Sequence, residues 1–169
     1  MTEKNVETFE KWFWVSKGSF KECLKYGIVL GIAQVLLAVL NTLVVSWLGL
    51  FEPVLLAENG VVTETFINGQ NFNQELFAIL FIVLAVVSFV VTFGIVFFGL
   101  KKILWAFPKE NKIYLAIYIL GISLVIVFIL ISIIAGQIVR PHGLIVQILA
   151  AIFAVALAKP NEKLSEGTK

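Results

Sequence analysis

The chain has 169 residues, of which 60% are hydrophobic and 14% are charged, and its mean hydropathy is +0.99. A soluble domain is about half apolar and about a quarter charged, and a small domain cannot bury such an apolar excess, so the chain is predicted to lie in a lipid bilayer. One cysteine, one histidine and no aspartate exclude disulfide frameworks and cysteine-based or histidine-rich metal centres.

Residues 1–18 form a charged leader in which apolar side chains recur at helical spacing. Val6, Phe9 and Phe13 share one face, and neighbouring tryptophans are favoured at a membrane–water boundary. The pattern predicts an amphipathic helix lying in the cytoplasmic interface. The alternative is a frayed cytosolic leader whose aromatic residues merely flank a membrane helix.

The start of the first long helix is predicted from a local capping signal. Gly18 is expected to break the leader, and Ser19 and Glu22 have the spacing of a capping box, in which each side chain accepts from the other residue's backbone N–H. The leader is therefore assigned to residues 1–18 and the transmembrane domain to residues 19–158, followed by a cytoplasmic tail over 159–169.

Four uncharged segments reach or approach the roughly 20 residues that a helix needs to cross a bilayer. They predict an all-α membrane protein, a bundle of four transmembrane helices at about residues 20–51, 76–100, 113–139 and 141–158. The fourth helix is the shortest, and Pro141 suits its first position. Three crossings followed by a re-entrant hairpin remain the alternative.

The distribution of basic residues predicts the orientation. Twelve of the 13 Lys and Arg residues lie in the two terminal segments and in the loop after the second helix, and only Arg140 lies on the other side. Because basic residues accumulate on the cytoplasmic side, both termini are expected in the cytoplasm. An odd number of crossings would separate the two basic termini, so the pattern also favours four.

The loop over residues 52–75 is acidic, contains no Lys or Arg, and is expected outside the cell. Its segment Val61–Ile67 is rich in residues that favour strands, and the turn dipeptide Asn59-Gly60 precedes it. The loop could therefore form a small β-hairpin, and an irregular loop is the equal alternative.

Small residues recur on one face of each predicted helix, and such faces allow helices to pack closely in lipid. We predict helix packing at Gly27, Gly31, Ala85, Gly99, Ala150 and Ala154.

Several amides and hydroxyls lie at membrane depth. This candidate set comprises Gln34, Asn41, Thr42, Thr92, Ser123 and Gln147. An unsatisfied amide in hydrocarbon is costly, so each amide should face a partner helix or a wet cavity. The set either lines a polar cavity or pins the helices together. No charged residue lies within the apolar parts of the four helices, at residues 26–51, 76–100, 113–139 and 143–158, and this absence argues against proton-coupled transport.

The sequence predicts no catalytic, cofactor-binding or metal-binding site, because its reactive side chains form no recognisable constellation. We therefore expect a non-enzymatic membrane protein without a cofactor that acts by helix and loop contacts, as an accessory, regulatory or immunity-type protein. The alternative is a small transporter or channel component for an uncharged or lipid-like solute. Expected partners are the lipid bilayer and either another protein or a second copy, but not nucleic acid. The expected location is the plasma membrane of a prokaryote.

Overall fold

The computed structural model describes residues 13–58, 61–68, 73–134 and 142–159. The elements in chain order are α1 (Lys17–Trp47), β1 (Phe51–Glu58), β2 (Val61–Asn68), α2 (Gln74–Ala106), α3 (Lys112–Ile134) and α4 (His142–Leu157). Helices α1, α2 and α3 are long and apolar enough to cross a membrane, and α4 is a shorter apolar helix. The predicted helical membrane class is confirmed, whereas the predicted leader helix falls largely on residues 1–12, outside the described residues.

Side-chain caps determine where the first three helices begin. Ser16 caps α1, because its Oγ accepts from the backbone N–H of Ser19 at 3.3 Å. Asn73 caps α2 by accepting from the N–H groups of Glu75 and Leu76, and Asn111 caps α3. Each cap satisfies N–H groups that have no partner within the helix.

The predicted capping box at Ser19 and Glu22 is wrong. Helix α1 begins at Lys17 and continues through Gly18, and the Glu22 carboxylate forms an ion pair with Lys25. The break in the leader lies earlier, at Trp14, whose φ of 51° places a non-glycine residue in the left-handed region and so interrupts a right-handed helix. Ser19 is then the third helical residue rather than the cap.

Helix α1 ends at Trp47 rather than near residue 51 because Gly49 adopts a left-handed φ of 65°. Leu50 N–H donates to the Val45 carbonyl at 3.1 Å, and Gly49 N–H donates to the Ser46 carbonyl at 3.0 Å. These two bonds form a Schellman motif, which glycine favours because it has no Cβ. Leu50 is fully buried beneath this turn.

The remaining helix boundaries differ from the predictions by a few residues. Helix α2 continues past Lys101 and Lys102 to Ala106, because lysine is compatible with helical backbone. Its end falls just before Phe107, and the residue before a proline avoids helical geometry. The segment 135–141, which was expected to contain the end of the third helix, lies outside the described residues.

The chain divides into two compact units. The first comprises Met1–Val35 and Val87–Lys169, and parts of all four helices contribute to its apolar core. That core includes Leu30 from α1, Val96 and Leu100 from α2, Leu115 and Ile119 from α3, and Ala151 and Ala154 from α4. Within this unit the expectation of a helix bundle is met.

The second unit comprises Leu36–Val86 and contains the loop between α1 and α2. Strands β1 and β2 pair antiparallel, with Phe51 opposite Asn68 and Glu58 opposite Val61. Of the two alternatives for this loop, the structure shows the β-hairpin, so the described part of the chain includes a two-stranded sheet beside its helices. The two residues that connect the strands, 59–60, lie outside the described part of the chain.

Candidate functional site

One member of the candidate polar set links α1 to α2 inside the first unit. Gln34 Nε2 donates to Thr92 Oγ1 at 2.7 Å, and Ser88 Oγ donates to Gln34 Oε1 at 3.2 Å. Ser88 and Thr92 are four residues apart and therefore lie on the same face of α2. Gln34 is 9% exposed and Thr92 is fully buried. Both ends of the amide are thus engaged by hydroxyl groups of the neighbouring helix.

Two glycines that precede Gln34 in α1 bring that helix against α3. A Cβ added at Gly27 would lie 2.6 Å from the Cβ of Ile122, and one added at Gly31 would lie 2.7 Å from the Cβ of Ile126. Both added atoms would also lie 3.0 Å from a backbone carbonyl oxygen of α3. The two helices therefore approach so closely that any side chain at these two positions would force them apart.

The remaining predicted packing residues lie in different surroundings. Gly99 of α2 faces the ring of Tyr26, since an added Cβ would lie 2.9 Å from its Cγ. Ala150 and Ala154 of α4 are fully buried. Ala85 belongs to the second unit and is half-buried.

Ser123 and Gln147 are both buried in the first unit. Ser123 Oγ donates to the Leu120 carbonyl of its own helix at 2.8 Å, and Gln147 is 8% exposed. Lys112 Nζ at the start of α3 lies 3.5 Å from the Ala158 carbonyl at the end of α4. Ser123 is as far along the chain from Lys112 as Gln147 is from Ala158. Because this contact pairs the start of α3 with the end of α4, the two side chains lie at similar heights along the antiparallel helices.

Asn41 and Thr42 lie in the second unit and are exposed. Thr42 Oγ1 donates to the Ala38 carbonyl one turn earlier at 3.0 Å. The structure therefore does not gather the candidate set into one site. It joins Gln34 to Thr92, adds Ser88 to them, and leaves Asn41 and Thr42 on an open face of α1.

A second polar cluster lies at the start of α1, where sequence reasoning did not place a site. Glu110 Oε1 accepts from Ser16 N–H and from Ser19 Oγ, both at 2.8 Å, and the two serine Oγ atoms lie 2.7 Å apart. The carboxylate stands at the N-terminus of α1, where the helix dipole stabilises negative charge. The Ser16-x-x-Ser19 spacing was a readable signal for the cap, but only the fold identifies Glu110 as its acceptor.

An aromatic cluster holds the end of the leader against α3. Tyr118 Oη donates to the Phe13 carbonyl at 2.8 Å, and Phe20 meets Tyr118 edge to face with ring centres 5.5 Å apart. Trp14 stacks on Tyr114 at 5.7 Å. The end of the leader is therefore fixed against the first turns of α3.

The reactive side chains near this end take part in structural contacts. Cys23 is fully buried, and its Sγ donates to the Leu115 carbonyl at 3.7 Å. Glu22 pairs with Lys25, and Glu110 holds the two serines. Among the described residues, no three His, Cys, Asp or Glu side chains are grouped in a way that could hold a metal ion.

Comparison with known proteins gives no relative from which a role could be transferred, because no family model, curated protein or solved structure matches the chain. The function must therefore be argued from the contacts themselves.

Proposed function

We propose that this chain is a non-enzymatic membrane protein that crosses the bilayer four times and acts by contact with other proteins in the membrane. This mode of action fits an accessory, regulatory or immunity-type protein of a prokaryotic plasma membrane. The observation that carries the proposal is the Gln34 contact. Gln34 is buried, and each of its two polar atoms is hydrogen-bonded to a hydroxyl of α2, which is the geometry of a contact that holds two membrane helices together.

The close approach of α1 and α3 supports the same proposal. At Gly27 and Gly31 the backbone of α1 packs against isoleucine side chains of α3. Interhelical polar contacts and small residues are the means by which membrane helices associate. The described interior of the first unit thus serves to hold helices together, and the surfaces left for function are the outward helix faces and the hairpin.

Four crossings are supported by the relation between α3 and α4. The contact between Lys112 and the Ala158 carbonyl brings the start of α3 to the end of α4. A 16-residue helix rises about 24 Å at 1.5 Å per residue, and Lys159 can extend its charged group towards the interface. Phe153 of α4 also packs on Phe89 of α2 with ring centres 5.9 Å apart, so α4 lies among the long helices.

The crossing number and orientation are tested by labelling cysteines from outside intact cells. Single cysteines replace Val62, Trp105 and Ser165 in a chain with Cys23→Ser. Only the cysteine at position 62 should react with an impermeant maleimide, and all three should react after the membrane is opened. Labelling at position 165 in intact cells would remove the fourth crossing.

The mode of action is tested by purifying the protein from its native membrane in a mild detergent. A partner in fixed stoichiometry or a defined oligomer is expected. The purified protein is also placed in liposomes to measure release of small uncharged solutes, with Gln34→Leu as the matched variant. Solute release that Gln34→Leu abolishes in a protein that still folds would instead establish the transporter alternative.

A further inference from the structure

Helices α1 and α2 meet near one end of the first unit, and lysines from both helices surround this contact. A Cβ added at Gly99 of α2 would lie 2.9 Å from the Cγ of Tyr26 of α1. One turn before Tyr26, the Glu22 carboxylate pairs with Lys25 at 2.5 Å, and the charge of Lys102 on α2 also acts on it. A carboxylate of α1 therefore lies among basic groups of both helices.

Each of the two helices presents one exposed face beside this contact, with residues at intervals of three or four that share one side of the helix. The two faces comprise Lys21, Lys25 and Val29 of α1 and Phe98, Lys102 and Trp105 of α2. Lys25 precedes Tyr26 by one residue, as Phe98 precedes Gly99, so each is turned about 100° back from the contact. Because α1 and α2 run in opposite directions, equal turns of this kind point to the same side of the pair. The two faces therefore form one groove, the lysine groove.

Helices α3 and α4 pack on the opposite side of this pair. Gly27, which contacts α3, lies about 160° from Lys25 around the axis of α1. Phe89, which packs on α4 with ring centres 5.9 Å apart, lies about 180° from Phe98 around the axis of α2. The apolar side chains of the lysine groove are accordingly open, since Phe98 is 64% exposed and Val29 is 53% exposed.

The charges around the lysine groove are not balanced. Of the charged residues described in the first unit, only Glu22 and Glu110 are acidic, and the others are lysines. Glu110 is engaged at the start of α1, and Glu22 is paired with Lys25. Lys21 and Lys102 make no hydrogen bond or ion pair with another described residue. The groove therefore keeps a net positive charge at the end that carries its lysines.

The lysines of the groove lie at the depth of phospholipid headgroups. Lys25 directly precedes the uncharged run of α1, and Lys102 follows the uncharged run of α2. Trp105 lies almost one turn beyond Lys102, and tryptophan is favoured at the membrane–water boundary. Phe98 lies about 6 Å nearer the bilayer centre than Lys102, at 1.5 Å per residue, and so at the level of acyl chains. Positive groups therefore border an apolar channel that continues into the hydrocarbon.

We propose that the lysine groove binds an anionic phospholipid, with the phosphate at Lys21 and Lys102 and an acyl chain along Phe98 and Val29. Basic pockets between membrane helices bind lipid headgroups of this charge, and lysine binds phosphate as a point charge. A soluble anion would match only the lysines, whereas a phospholipid matches both the lysines and the apolar channel. This site concerns lipid and does not depend on the protein contacts proposed above.

Quenching of Trp105 fluorescence by lipids with brominated acyl chains tests the site in the full chain. The other three tryptophans are replaced in the substitutions Trp12→Phe, Trp14→Phe and Trp47→Phe. The protein is reconstituted into phosphatidylcholine that contains graded fractions of brominated phosphatidylglycerol or brominated phosphatidylcholine. The two titrations give the affinity for the anionic lipid relative to the zwitterionic one. This ratio should be roughly fivefold, the effect of one lysine near an anionic membrane surface.

Two pairs of substitutions that remove the same charge locate the preference. Lys21→Gln combined with Lys102→Gln should bring the affinity ratio close to one. Lys109→Gln combined with Lys159→Gln changes the loop after α2 and the end of α4, outside the groove, and should leave the ratio nearly unchanged. All four lysines are exposed, and unchanged elution and helical circular dichroism in detergent show that the variants still fold.

Glu22→Gln gives a prediction of the opposite sign. The change removes the carboxylate that pairs with Lys25, so the groove gains one unit of positive charge. The affinity ratio should therefore rise by roughly fivefold. Loss of an ion pair that only stabilised the fold would not raise this ratio.

Several results would overturn the lipid site. These are an affinity ratio near one in the parent protein, equal losses from the two pairs of lysine substitutions, and no increase in the Glu22→Gln protein. Equal losses would show that the lysines attract anionic lipid only as a basic surface. Inorganic phosphate at constant ionic strength should leave the quenching by brominated phosphatidylglycerol unchanged. Loss of quenching on its addition would instead make the groove a site for free phosphate.

Discussion

The part of α1 in the first unit and the part in the second unit differ in what surrounds their small and polar side chains. In the first unit, Gly27 and Gly31 meet α3 at distances that leave no room for a Cβ, and Gln34 is bonded at both ends to α2. In the second unit, Ala38 and Asn41 have the same kind of side chain at the same helical spacing and are exposed. Residue type and spacing therefore do not by themselves show which polar groups hold a bundle together.

The comparison also separates two settings of an amide in a membrane. A buried amide such as Gln34, with both its nitrogen and its oxygen hydrogen-bonded to the neighbouring helix, contributes to the stability of one chain. An exposed amide on the same helix, such as Asn41, has no hydrogen bond among the described residues through which it could add to that stability. Substitutions that are chemically identical in the two units should therefore differ in their effect on stability.

The largest effect is expected from filling the contact between α1 and α3. Gly27→Ala places a Cβ 2.6 Å from the Cβ of Ile122, and overpacking of this kind reduces the free energy of unfolding by about 1–3 kcal/mol. Gly121→Ala is the matched control, because nothing lies within 4 Å of its added Cβ. Unfolding in mixed micelles with increasing SDS measures both. Equal stability of the two variants would contradict the close contact.

An intermediate effect is expected from Gln34→Leu, which removes two hydrogen bonds between α1 and α2. Such bonds average about 0.6 kcal/mol in a membrane protein, so the same unfolding assay should show a loss of about 1 kcal/mol. In the same assay, Asn41→Leu changes an exposed side chain and should leave the free energy of unfolding unchanged. If both amides prove equally important for stability, the distinction between the two units is lost.

The smallest effect is expected at the start of α1, where Glu110 accepts from Ser16 and Ser19. Glu110→Gln keeps the shape of the side chain but removes the charge that accepts from Ser16 N–H and Ser19 Oγ. Glutamine keeps an oxygen that accepts both bonds, and Glu110 is only half-buried, so the lost charge should cost about 0.5 kcal/mol in all and lower the melting temperature in detergent slightly. Glu75→Gln in the exposed first turn of α2 is the control, because it removes a charge at a helix N-terminus without weakening a bond to a serine, and it should lower that temperature less.

The sequence was sufficient to predict the features that depend on neighbouring residues or on the bilayer. Length and absence of charge predicted the three long helices, and the turn dipeptide at Asn59-Gly60 with flanking strand formers raised the hairpin as one of two alternatives. The caps at Ser16, Asn73 and Asn111 were also within reach, because a cap depends on a short local pattern. Serine is a common N-cap residue, so both Ser16 and Ser19 are candidates. The capping-box spacing of Ser19 and Glu22 favoured the wrong one.

Only the tertiary structure decided which of the equivalent residues meet. Gln34 and Asn41 are both amides in one apolar helix, and nothing local to either predicts that one reaches Thr92 while the other stays exposed. Glu110 likewise became the acceptor for Ser16 and Ser19 across more than 90 residues of chain. Composition determines the solvent that a helix prefers, because transfer into lipid depends on the residues themselves. Contact partners depend on how separate helices approach each other, and that relation exists only in the folded chain.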